Sequence, residues 1–207
     1  MDTPGGTLII ACGALAHEIA ALRRASGWTA VDVCCLPPGL HNRPERIAPA
    51  VRAKIREHRD QYRSIFVAYG DCGTGGGLDA VLREEGVERL PGAHCYEFFA
   101  GARAFAELAE AEPGTFYLTD FLPRHFERLV VRGLGIDRHP QLAQEYFRNY
   151  RKVVYLSQIR AAALLERARE IAANLGLVFE HRHVGFGDLG AHLATLVEAD
   201  RTRSWPA

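Results

Sequence analysis

The chain reads as an α/β protein: a mostly parallel sheet with helices on both faces and a site at the carboxyl ends of its strands. Three observations carry this. Short apolar runs alternate with stretches of helical periodicity along 207 residues. The runs are continuously apolar, as in strands covered on both sides. Thiols and imidazoles recur just after the runs, where parallel strands of an open α/β sheet converge on one crevice.

Residues 7–11 form the first expected strand, and Leu15, Ile19 and Leu22 mark a helix over 14–25 closed by Gly27. A strand over 30–36 stops at Pro37-Pro38-Gly39, and Pro44 and Glu45 suit the first turn of a helix reaching His58. Residues 64–69 are a third strand, followed by a helix over 78–85. Residues 96–109 read as one amphipathic helix packing Phe98, Phe99, Phe105 and Leu108. Beyond it come a strand over 115–119, a helix through Leu129 or Val130, a loop over 133–140 and, led in by His139-Pro140, a helix to about Tyr150. A strand over 152–156, a helix over 161–174, a strand over 177–182 and a helix over 189–198 complete the pattern. Residues 1–201 read as one domain, and 202–207 as a frayed tail. A weak repeat of strand, small or polar residue and helix recurs at Cys12, Cys72, Thr119, Ser157 and Gly185, which fits a pseudo-repeated layout.

Composition removes several classes of function. Lys plus Arg and Asp plus Glu are 25 each, so no basic excess draws the chain to nucleic acid or anionic lipid. No apolar stretch approaches the ~18 residues that span a bilayer. The start, Met1 to Gly6, has no basic region ahead of the first strand and does not read as a secretory signal. Five cysteines, two of them adjacent, argue against a disulfide framework and for a reducing cytoplasm.

The strongest local feature is Tyr69-Gly70-Asp71-Cys72-Gly73-Thr74-Gly75-Gly76-Gly77, a strand running into a glycine-rich turn with a thiol at its tip. Cys12-Gly13 repeats the arrangement more plainly, and taken alone Cys12 suits a packed core thiol. A thiol at a strand-to-helix junction lies near backbone N–H groups that favour the thiolate, the form a metal binds. His41 sits in a rigid loop between Pro38 and Pro44, and His94 and Cys95 are adjacent, so one of them suits direct ligation and the other an orienting role. Cys34 and Cys35 lie within a strand and read as core. Gly73, Gly75 and Gly76 could cradle an anionic cofactor group, although neither a P-loop nor a dinucleotide fingerprint is complete. Glu18, Asp71 and Glu97 are candidates to orient ligands or move protons.

Other polar groups are weaker. Thr119-Asp120, Arg124-His125 and Asp137-Arg138-His139 read as loop clusters, and His181 and His183 share one face of a strand whose half-exposed position suits plain surface. Gly185-Phe186-Gly187-Asp188-Leu189-Gly190 fits a glycine turn at a helix start.

Ala11-Cys12-Gly13-Ala14, Leu40-His41-Asn42-Arg43-Pro44-Glu45, Tyr69 to Gly77, Ala93-His94-Cys95 and Gly114-Thr115-Phe116-Tyr117-Leu118-Thr119 together resemble the DUF1638 family over most of the chain, to about Gly190. That family occurs in bacteria and methanogenic archaea, often beside corrinoid proteins and trimethylamine-type methyltransferases. The resemblance puts weight on Cys12, His41, Cys72 and the His94-Cys95 pair. In archaeal members the His and Cys of that pair are separated by one residue; here they are adjacent, which leaves open which ligates.

The first expectation is therefore a metal-dependent cytoplasmic enzyme of one-carbon metabolism, using zinc for methyl transfer to or from a small-molecule substrate, with a corrinoid protein or folate as partner. Cys12, His41, Cys72 and His94 or Cys95 would be its ligands. The second is a non-catalytic accessory protein delivering a metal or cofactor to a corrinoid methyltransferase. The third is an iron–sulfur enzyme with Cys12, Cys72 and Cys95 on the cluster and one iron left open. Neither nucleic acid nor membrane is an expected partner.

Overall fold

The computed structural model describes the backbone over residues 5–202 and the side chains over 5–198. The chain divides into two compact units, Met1–Cys95 with Asp188–Ala207, and Tyr96–Gly187. The span read above as one domain thus holds two sheets, each built of parallel strands.

The first unit contains β1 (Thr7–Cys12), β2 (Val31–Leu36), β3 (Ser64–Ala68) and β4 (Glu88–Arg89), in the order β2-β1-β3-β4. Every pair is parallel. Register places Cys12 opposite Leu36, and Ala11 opposite both Cys35 and Ala68. All six residues of β1 are buried, so this strand is covered on both faces, as its unbroken apolar run predicts. Around it stand α1 (Ala16–Ala25), α2 (Ile47–His58), α3 (Gly77–Glu85) and α9 (Gly187–Thr202). Ile19, Ile47, Val51, Ile55 and Leu78 are fully buried from these helices, and Gly190 of α9 brings its backbone against Leu22 of α1.

The second unit contains β5 (Thr115–Leu118), β6 (Lys152–Ser157) and β7 (Val178–His183), in that order and parallel. Its main core joins Leu118, Val153 and Tyr155 to Leu164, Ala168 and Ile171 of α8 (Ala162–Asn174) and Phe126 of α6 (Phe121–Phe126). Tyr117, Val154 and Leu156 pack on the opposite side with Leu108.

The α/β reading and nearly every expected element hold, with local differences. The helix expected over 96–109 is two, α4 (Cys95–Ala100) and α5 (Ala102–Ala111), because Gly101 sits at φ +80°, where a helix cannot continue. The two-residue β4 was not expected; it is too short to carry a pattern. The helix after β5 ends in a five-residue π-helical segment, Glu127–Val131. The last helix runs on to Thr202, and the rest of the expected tail, 203–207, lies outside the described residues, as do residues 1–4. Among the described residues no helix is long and apolar enough to cross a membrane.

Candidate functional site

The carboxyl ends of all four strands of the first sheet carry the candidate ligands. Cys12 ends β1, and its Sγ accepts a hydrogen bond from the Ala14 amide at 3.4 Å. The loop after β2 turns back through 3-10 segments at Pro38–Asn42 and Pro44–Arg46, carrying His41. The loop after β3 carries Cys72, and the loop after β4 carries His94 and Cys95.

Missing side chains draw these loops together. A Cβ on Gly13 would lie 3.0 Å from Leu36 O and 3.0 Å from Pro38 Cδ. One on Gly70 would lie 3.0 Å from His94 N and 3.1 Å from both Ala93 C and Ala93 O. Backbone hydrogen bonds seal the second approach, Asp71 N to Gly92 O at 3.2 Å and Cys72 N to Ala93 O at 2.8 Å. Arg89 braces it from β4: its guanidinium is bidentate to Asp79 at 2.6 and 3.0 Å and also donates to Leu90 O and Gly92 O. Cys72 itself has φ +51°, a left-handed conformation costing roughly 1–2 kcal/mol in a residue with a Cβ. The surrounding bonds hold it there.

The result gathers the thiols closely enough that Cys72 raises the pKa of Cys12 and both raise that of Cys95, with the buried Glu18 of α1 adding to the effect on Cys95. Burial is the larger cause throughout. It pushes the Cys12 thiol up to about 12 and the Cys72 thiol up to about 11, and holds the Cys95 thiol well above its ordinary value. The backbone amides of Gly70 and Cys95 pull Cys72 partly back. All three thiols are therefore neutral at pH 7.

His41 Nδ1 lies 3.0 Å from Pro38 O and 3.9 Å from Cys12 Sγ. A carbonyl only accepts, so Nδ1 carries the proton and Nε2 the lone pair. Burial of the ring, partly offset by the Pro38 carbonyl, lowers its pKa, and nearby His94 lowers it further. The residue keeps an exposed edge, as does His94. The imidazole stacks on Tyr69 at 6.3 Å and 13°. The Tyr69 hydroxyl is buried without a partner of regular hydrogen-bond geometry; the group it meets is the Cys12 thiol, and burial raises its pKa.

All five expected ligands, with Glu18, thus share one neighbourhood in the first unit. Among the described residues, however, no three His, Cys, Asp or Glu side chains already stand in an arrangement that could hold a metal ion. The donor set of thiols with a carbonyl-anchored imidazole is of the kind that binds zinc. A metal would need the side chains to close on it.

The remaining candidates fare differently. Asp71 turns into its own loop, accepting from the Thr74 hydroxyl at 2.5 Å, Gly75 N at 3.1 Å and Gly76 N at 3.0 Å. The amides of Gly75 and Gly76 that could have met an anion are taken by this carboxylate. Gly73 rests beside Pro44, with 3.7 Å from a built Cβ to Pro44 Cβ. Glu97 stands in the first turn of α4 and belongs to the second unit.

Three participants were not singled out in the sequence. Tyr69 and Arg89 are described above. Cys35, read as core, is exposed, yet its thiol is near enough to Cys12 and Tyr69 to affect both, and Cys34 is half-buried. A tyrosine or arginine bordering a glycine turn is the signal that could have found the first two. A cleft of about 400 Å³ lined by Thr7, Arg59, Tyr62, Ser64 and Glu88 lies at the opposite, amino ends of the strands and has no part in this centre.

The family described as a protein of unknown function, DUF1638, matches residues 35–193. No curated protein and no solved structure matches the chain.

Proposed function

The chain belongs to the DUF1638 family, and on that premise we propose that it is a metal-dependent enzyme whose centre is the thiol–imidazole cluster of the first unit. Cys12, Cys72 and Cys95 with His41 or His94 would hold the ion, and zinc suits the donors best. The observation that carries this reading is the gathering of three neutral thiols around an imidazole anchored by a backbone carbonyl. When bound, zinc lowers the pKa of a coordinated thiol or acts as a Lewis acid on a substrate heteroatom. Within the chain, Pro38 O fixes the His41 tautomer, Arg89 and Asp79 hold the loop under Cys72, and the Tyr69 hydroxyl can donate to a thiolate at Cys12.

The finer assignment is methyl transfer in one-carbon metabolism, with a small-molecule substrate and a corrinoid protein or folate as donor. It rests on the family resemblance alone. Five free cysteines suit the reducing cytoplasm. The thiol count also supports an iron–sulfur reading with Cys12, Cys72 and Cys95 as ligands.

The test is elemental analysis and a visible spectrum on protein purified anaerobically, wild type beside Cys72→Ser. Near-stoichiometric, colourless zinc lost in the variant supports the first reading; brown iron lost in the variant supports the second. A folded protein that neither carries nor takes up metal refutes both.

A further inference from the structure

The second unit has its own polar cluster at the carboxyl ends of its strands. His181 Nε2 lies 2.9 Å and His183 Nδ1 3.1 Å from one atom, Ser157 Oγ. Register explains the convergence: Ser157 stands opposite His183 and Tyr155 opposite His181 on adjacent parallel strands. Beneath them the floor is fixed. The Tyr155 hydroxyl donates to Asp120 Oδ1 at 2.6 Å, Ile159 N donates to Asp120 Oδ2 at 2.9 Å, and Asp120 N donates to Gln158 Oε1 at 2.7 Å. Asp120, Ser157 and Gln158 are all buried, while both histidines keep exposed surface. The Tyr155 ring stacks on His181 at 5.3 Å and 26°.

Hydrogen-bond accounting decides what the outer side offers. The serine hydroxyl has one proton, so in the neutral cluster it donates to one imidazole and accepts N–H from the other. The imidazole that receives the serine proton then carries its N–H on its other nitrogen. Protonating the pair adds a second such donor. Charge nearby is mostly positive: Arg160 follows β6, is exposed and enters no ion pair among the described residues. Arg169 of α8 lies over the Phe179 ring at 5.8 Å and reaches Glu166 only at 3.6 Å. Burial first, then His183, Arg169 and Arg160, lower the pKa of His181, against a smaller opposing pull from Asp120. Cations here repel a metal ion and favour an anion.

We propose that the carboxyl edge of the β5-β6-β7 sheet is a binding site for the oxyanion group of a small molecule, a phosphate or a carboxylate, held by His181, His183 and Arg160. Ser157 is a positioning residue that aims both rings. Binding takes up a proton at His181, whose burial and cationic neighbours favour the neutral ring, so affinity rises as pH falls below the ordinary histidine range.

NMR titration of the histidine rings in the full chain tests this, with inorganic phosphate and separately with acetate. The bound anion is expected to raise the pKa of His181 by about one unit and to shift the ring signals of His183. Whether phosphate or acetate does so separates the two sources. Arg160→Gln, at an exposed position that disturbs no packing, is expected to weaken binding roughly tenfold, and Cys72→Ser to leave it unchanged. Rings that ignore both anions, or equal binding by Arg160→Gln, overturn the proposal. So does zinc taking the histidine pair in preference to either anion.

Discussion

The two sheets end in opposite kinds of chemistry. At the first, the groups are soft and loosely tied: Cys12 meets His41 at 3.9 Å, and the Tyr69 hydroxyl has no regular partner. At the second, the groups are hard and closely bonded, with contacts of 2.6 to 3.1 Å running from Asp120 through Tyr155 and from Ser157 to two histidines. The first edge spends backbone strain at Cys72 and close approach at Gly70 to collect thiols that burial keeps neutral. The second satisfies its buried carboxylate internally and leaves imidazole edges and the Arg160 side chain outward. The comparison teaches that loosely bonded, desolvated groups mark where a ligand changes the chemistry most, whereas a satisfied network marks a platform.

The largest expected effect is on metal binding. Cys12→Ser combined with Cys72→Ser should lower zinc affinity at least a hundredfold, while the histidine signals of the second unit stay in place. Loss of those signals as well would collapse the distinction between the edges. Next comes stability. Gly70→Ala sets a methyl within 3.0–3.1 Å of backbone that cannot yield cheaply. Denaturant unfolding should register a loss of about 1–3 kcal/mol, whereas Gly75→Ala, at φ +62° with nothing within 4 Å, should lose only about 1 kcal/mol. In the second unit, Tyr155→Phe removes the donor to a buried Asp120 oxygen and should cost about 1–3 kcal/mol without changing metal content.

A smaller effect distinguishes the edges by pH. Burial raises Cys12 to about 12 and Cys72 to about 11, so the folded state holds these protons above the unfolded thiol range. Stability from this source is complete below about pH 8.5 and fades as pH climbs through 9 to 12. Alkylation of the metal-free protein should accordingly be slow at pH 7. Fast labelling of Cys12 or Cys72 there would show thiolates that the desolvation argument forbids.

Much of this was legible in the sequence because strand-end position and residue type coincide. The run before Cys72 and the glycines after it specify a strand and a tight turn, and β1 and β6 declare their two-sided burial by unbroken apolar character. The convergence of Cys12, His41, Cys72 and Cys95 follows once the strand order β2-β1-β3-β4 brings their loops side by side. That order is a property of long-range pairing and has no local signature. The turn-capping bonds of Asp71 were not legible, because a carboxylate beside glycines has the same local appearance whether it serves a substrate or caps its own turn. His181, His183 and Asp120 looked like surface and loop polar residues; only register across β6 and β7 turns them into a cluster. The break at Gly101 was hidden by apolar residues that keep a helical rhythm across it.

The most direct test of the central claim is X-ray absorption on the zinc-loaded full chain. Two or three sulfur ligands at about 2.3 Å with nitrogen completing the shell are predicted, and fewer sulfurs in Cys72→Ser. A shell of nitrogen and oxygen alone, unchanged by that substitution, would place the metal elsewhere and contradict the thiol centre.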